Sequence, residues 1–174
     1  MAAVCEIWGL HIEYPENWTL DIVSGNPDDL SAGETRPPAT IDWAGWDPGD
    51  PQIDRQVVIS GLGTAFWQLS RHPAETPLET LFDEVLAALR SEYRELEVEP
   101  ARERIERLAW EGYDVNFYCL DLTVTALLRG FPTPAAVYVM LCQAEDREWP
   151  LAGQVFQAMN VTLARSLSAA PPQG

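Results

Sequence analysis

The chain has 174 residues, 47% of them hydrophobic and 22% charged, which fits one globular domain with its own core and argues against both disorder and a transmembrane chain. Its 27 acids against 11 bases leave a formal charge of −16, so nucleic acid and anionic lipid surfaces are poor partners, because phosphate recognition needs a basic face. All 11 bases are arginine, a compositional habit that no mechanism accounts for.

The start, Met1-Ala2-Ala3-Val4-Cys5, has neither the basic residues nor the apolar run of a signal peptide. Ile7 to Tyr14 and Trp18 to Val23 flank the turn Pro15-Glu16-Asn17 and read as an opening hairpin. Residues 24–56 then form a long acidic loop, broken by Gly25-Asn26-Pro27, Arg36-Pro37-Pro38 and Asp47-Pro48-Gly49, with Thr40 to Trp43 able to pair briefly with a sheet. Thr64 to Arg71 alternates as a strand. Gly61-Leu62-Gly63 precedes it and reads as a turn, since a dinucleotide fingerprint would need a helix to start there at once.

A helix follows. Leu78, Leu81, Phe82, Val85, Leu86, Leu89 and Tyr93 make one apolar stripe, with Glu79, Asp83, Glu84, Arg90 and Glu92 opposite. Thr76 is placed to cap it, with Pro77 in the first turn and Glu79 completing a capping box. Leu96 to Trp110 fits either a short helix or an irregular strand and is read as extended. Tyr113 to Leu120, Leu122 to Phe131 and Ala135 to Ala144 read as strands, the last apolar on both faces and so interior to a covered sheet. The closing helix runs from near Pro150 to Leu167, with Leu151, Val155, Phe156, Met159, Leu163 and Leu167 as its buried side, and residues 168–174 read as a frayed tail. Residues 1–167 are thus one α/β domain of the α+β kind, an antiparallel sheet of about six strands with helices on both faces.

No motif carries catalysis. His11 and His72 are the only imidazoles, and a pairing of His72 with Cys119 or Cys142 would set a base beside thiols in apolar strands, where they stay protonated. Cys5, Cys119 and Cys142 are an odd, widely spaced set that reads as reduced thiols in a cytoplasmic protein, the last two buried. No ligand spacing predicts a metal, and no cofactor is expected; Asp42, Asp47, Asp50 and Asp54 read as a solvated acidic loop, with a divalent-ion site as the alternative. Asn17-Trp18-Thr19 and Asn160-Val161-Thr162 match the glycosylation sequon by chance. Trp43 and Trp46 in their polar frame, with Asp47 and Asp50 beside them, are the candidate partner contacts; the competing reading tucks both rings under the loop. The other tryptophans are core.

Ile12-Glu13-Tyr14-Pro15-Glu16-Asn17-Trp18, the Gly112 strand after Trp110-Glu111, and Ala135-Val137-Tyr138 with the helix from Pro150 to Ser166 resemble the PsbP-like fold. That group includes a photosystem oxygen-evolving subunit, a Ran-binding nuclear-import factor and bacterial DcrB-like proteins. The resemblance implies a binding or adaptor module and transfers no site residues, since its motifs are core and turn positions. The expected function is a non-catalytic protein-interaction module, an adaptor or chaperone for a secreted protein, whose partner offers a basic or apolar segment. A small-molecule or divalent-ion binding protein is the alternative, and a small hydrolase is the third.

Overall fold

The computed structural model describes residues 1–23 and 56–169. Two short strands, β1 (Ala2–Ile7) and β2 (Leu10–Pro15), pair antiparallel as a separate ribbon. Then come β3 (Thr19–Val23), β4 (Gln56–Ser60), β5 (Phe66–His72), α1 (Leu78–Glu92), β6 (Leu96–Ile105), β7 (Leu108–Cys119), β8 (Leu122–Pro132), β9 (Val137–Glu145) and α2 (Trp149–Ala169). Among the described residues the main sheet has seven strands in the order β3-β4-β5-β9-β8-β7-β6, and every pairing is antiparallel.

Alternation along the strands splits the core in two. On one face Leu81, Phe82, Val85, Leu86 and Leu89 of α1 pack on Val115, Phe117, Ala126, Leu128, Val139 and Leu141. On the other, Phe156, Met159 and Leu163 of α2 and Cys5, Ile7, Leu10 and Ile12 of the ribbon cover Trp67, Leu69, Met140 and Cys142. Strand β9 is buried from Val137 to Ala144 because both faces are covered, as the apolar run from Val137 to Cys142 requires. Gly130 lets α1 settle onto β8: a Cβ there would lie 2.5 Å from Leu78 and 2.9 Å from Phe82.

Several expectations are corrected. The opening hairpin turns at Trp8-Gly9, whose φ values of 55° and 75° suit a two-residue mirror-image turn. Its tryptophan is an unusual left-handed residue, held where its ring meets Tyr138 at 6.0 Å. Pro15 to Trp18, closed by Trp18 N–H donating to Pro15 O at 2.9 Å, instead carries the chain from one sheet to the other. Residues 57–60, unassigned from sequence, form strand β4 together with Gln56, which was read as the end of the long loop. The N-cap of α1 falls on Pro77, with no side-chain cap, so Thr76 and Glu79 form no capping box. Leu96 to Ile105 is extended, as read, and a two-residue turn with Glu106 at φ 56° returns it into β7, within which Gly112 lies. Ser168 and Ala169 continue α2 rather than fray.

Candidate functional site

The site-bearing end of the sheet follows from strand direction. In an all-antiparallel order β4, β7 and β9 run the same way, so the chain leaving each of them emerges at one end. There stand Leu62 in the β4–β5 loop, Leu120 in the β7–β8 turn and Leu151 in the first turn of α2, exposed at 87%, 93% and 73%, with Tyr118 at 60%. Leu151 was expected on the buried side of α2; it is exposed while Ala152 beside it is buried, and only Phe156, Met159 and Leu163 of that set are fully buried.

Glu148 ties these loops together. Its carboxylate accepts from Thr64 N–H at 2.9 Å and from Thr64 Oγ1 at 2.8 Å, and Thr64 Oγ1 accepts from Glu145 N–H at 2.9 Å. Its backbone carbonyl accepts from Leu151 and Ala152 N–H at the start of α2. Gly63 passes against that carboxylate where a Cβ would overlap it. Glu148 therefore links the loop that carries Leu62 to the helix start that carries Leu151. Asp146 is pinned to β8 by Thr125 Oγ1 at 2.8 Å and by its own N–H on Thr123 O at 2.9 Å. From β4 to β7 is four strand spacings, about 19 Å at ~4.8 Å each. The charged residues of the connections at this end are Glu16, Arg94, Glu95, Asp121, Asp146, Arg147 and Glu148, an acidic surplus around exposed leucines.

A second polar feature lies inside. Gln68, Ser70 and His72 alternate along β5 on the α1 side of the sheet and are buried, and Gln56 of β4 is in register with Ser70. Ser70 Oγ lies 2.8 Å from His72 Nε2 and 3.3 Å from Val139 O. Burial pushes the His72 imidazole down to about 4, so at neutral pH it is uncharged and can accept the hydroxyl proton in a hydrogen bond. Gln56 Nε2 and Gln68 Oε1 are buried and have no hydrogen-bond partner among the described residues. A hydroxyl beside a neutral imidazole has the parts of a nucleophile and its base. Ser70 at 5% and His72 at 2% exposure are nevertheless closed to a substrate carbonyl.

The sequence-derived pairing of His72 with a cysteine does not form. Cys142 packs with Trp67 and Leu69 in the α2-side core, and burial pushes its thiol up. Cys119 is half-buried at the end of β7, less buried than expected, while Cys5 is fully buried. His11 lies at the surface, 3.5 Å from both Glu6 and Glu13. Asn160 is buried in α2, so its sequon is no acceptor in the folded chain. Trp67 and Trp110 are core, whereas Trp8, Trp18 and Trp149 are half-buried at its margin. Among the described residues no three His, Cys, Asp or Glu side chains are placed to hold a metal ion, and no helix is long and apolar enough to cross a membrane. Trp43, Trp46, Asp47 and Asp50, with Asp42 and Asp54, lie outside the described residues.

The exposed leucines carried no sequence signal, because a leucine beside glycines or at a helix start reads as core. The polar row did carry one: Gln68-x-Ser70-x-His72 is a period-two polar run in a strand that opens on Phe66-Trp67 and carries Leu69 between its first two members.

No family model and no curated protein matches the chain. Nineteen chains of solved structures do. Cyanobacterial PsbP (CyanoP) from Synechocystis sp. PCC 6803 is 12% identical, with 92% of this chain and 90% of that one covered at a TM-score of 0.54. Protein PA94 of unknown function from Pseudomonas aeruginosa is 11% identical over 99% and 98% of the two chains, at a TM-score of 0.44. LpqN of Mycobacterium tuberculosis, involved in cell envelope biogenesis, is 14% identical over 88% and 79%, at a TM-score of 0.39. The match to CyanoP shows that the chain has a PsbP-like fold.

Proposed function

We propose that this chain is a non-catalytic protein-interaction module of the cytoplasm, an adaptor or chaperone that docks an apolar segment with basic flanks. One observation carries the reading: Leu62, Leu120, Leu151 and Tyr118 stand exposed at a single end of the sheet, among acidic loops. A surface about 19 Å across suits a polypeptide better than a small ligand. Acidic rims speed encounter with basic partners and discriminate against acidic ones. Trp43, Trp46, Asp47 and Asp50 are proposed as further partner contacts. The free cysteines agree with a reducing compartment. A client bound for secretion would offer such a segment before export.

The test is a pull-down from source-cell lysate, with wild type beside Leu62→Asp/Leu151→Asp and Trp43→Ala/Trp46→Ala variants of unchanged melting temperature. One protein recovered by wild type and lost with the leucine variant is the expected result. Equal recovery by wild type and the leucine variant would remove the sheet end from the interface. Loss with the tryptophan variant alone would move the interface to that pair.

A small polar ligand at the β4–β5 row is the second reading, favoured by Gln56 Nε2 and Gln68 Oε1, which have no partner among the described residues. A thermal-shift panel of metabolites and divalent ions tests it, because any ligand far above its Kd raises the melting temperature. A silent panel would dismiss it.

A further inference from the structure

On the α2 side of the sheet, the ribbon and helix cover the part that holds Ile105, Trp110 and Phe131. Near the opposite end, strands β6, β7 and β8 present polar residues: Glu97 and Glu99, Asn116 and Tyr118, Thr123 and Thr125. Glu97, Glu99 and Tyr118 are exposed, and the other three are half-buried. Asp146 reaches the same face through Thr125. At its border, Glu103 and Asp114 hold the buried Arg129 at 2.7 and 2.6 Å. Among these residues five carboxylates stand with one buried base, Arg129, and two of them are already on it.

We infer that this open sheet face docks an extended, arginine- or lysine-bearing segment of a partner protein. The inference rests on the interaction-module reading and names one chemistry of its partner. Glu97 and Glu99 are two residues apart on one strand, about 7 Å, which is also the spacing of alternate side chains in an extended peptide. Tyr118 offers a ring on which a guanidinium can stack. The Arg129 site already shows how this face receives a cation: two carboxylates with the Tyr113 carbonyl at 2.8 Å. Excess negative charge on a polar face that no described element covers complements a basic chain and repels an acidic one.

The probe is a labelled eight-residue peptide alternating arginine and serine, followed by fluorescence anisotropy, with a glutamate–serine peptide as control. Saturable binding of the basic peptide alone is expected, weakening at least tenfold between about 0.05 and 0.5 M salt. A Glu97→Gln/Glu99→Gln/Tyr118→Ala variant should bind at least tenfold more weakly. A Glu79→Gln/Asp83→Gln variant, altered on the outer side of α1, should stay within twofold. No binding by wild type overturns the inference. Equal weakening of both variants also overturns it, since net charge alone would then explain the affinity. Lysate capture that persists while the peptide fails to bind would sink this inference and leave the module reading standing.

Discussion

The indole N–H of Trp67 donates to Asn160 Oδ1 at 2.8 Å inside the core, joining β5 to α2 across 93 positions of sequence. Both residues are buried, Trp67 at 0% and Asn160 at 3% exposure. Removing one partner strands the other without water, at a cost of about 1–3 kcal/mol. Asn160→Ala should therefore destabilise by about 2 kcal/mol. Trp67→Phe should cost more, because it also removes ring volume. The double variant Trp67→Phe/Asn160→Ala should cost less than the sum of the two single changes, by about 1 kcal/mol. Urea unfolding of the cycle measures this, and strict additivity would mean that the bond contributes nothing of its own.

His72 gives the fold a pH dependence whose sign is fixed. Its folded-state pKa, about 4, lies below the ordinary value of 6.5 because burial disfavours the charged ring. The unfolded chain therefore takes up a proton that the fold excludes. Stability from this group is fully present above pH ~6.5 and is lost as pH falls toward ~4, in all by about 3 kcal/mol. His72→Gln should flatten that part of the stability curve. The readout is the difference between variant and wild-type unfolding free energy from pH 7 to 4; two parallel curves would show that the imidazole is not desolvated.

Arg129 stays charged although burial works against it, because its bonds to Asp114 and Glu103 more than compensate and raise its pKa. It joins three adjacent strands through Glu103 of β6, Asp114 and the Tyr113 carbonyl of β7, and its own place on β8. Arg129→Met should cost about 3 kcal/mol, since two carboxylates then face each other without a cation. The cost stays at the low end because Glu103 and Asp114 are 39% and 46% exposed and can hydrate. Glu103→Gln or Asp114→Asn alone should cost about 1 kcal/mol, as the other acid keeps the guanidinium paired. Chemical denaturation ranks the three, and a single-acid variant as damaging as Arg129→Met would refute this division.

What was legible in the sequence follows the physics of each segment. The α1 stripe was plain because a one-sided helix repeats its apolar residues at the helical period, and Leu81, Phe82, Val85, Leu86 and Leu89 are all buried. Strand β9 was plain because a strand covered on both faces has no polar phase. Strand β4 was missed, since Val57-Val58-Ile59 is too short to show a period and follows a long polar stretch. The first hairpin was missed because tryptophan rarely takes the left-handed conformation found at Trp8, and tertiary contact with Tyr138 overrides that preference. The exposed leucines at the sheet end could not be read, because which loops share one end depends on strand direction, which is a property of topology.

Two glycines separate backbone packing from side-chain packing. A Cβ on Gly112 would overlap the Leu128 carbonyl oxygen on the neighbouring strand, a rigid backbone atom within the β7–β8 ladder. Gly112→Ala must push the two strands apart where Arg129 is also held, and should cost about 3 kcal/mol or more. A Cβ on Gly130 meets the Leu78 and Phe82 side chains instead, at 2.5 and 2.9 Å, and those belong to a helix that can slide. Gly130→Ala should thus cost about 1–2 kcal/mol, the ordinary penalty of an overpacked core. Thermal melts of the two variants decide the matter. The backbone clash should prove the more damaging; the reverse order would mean that β7 yields more easily than the seat of α1.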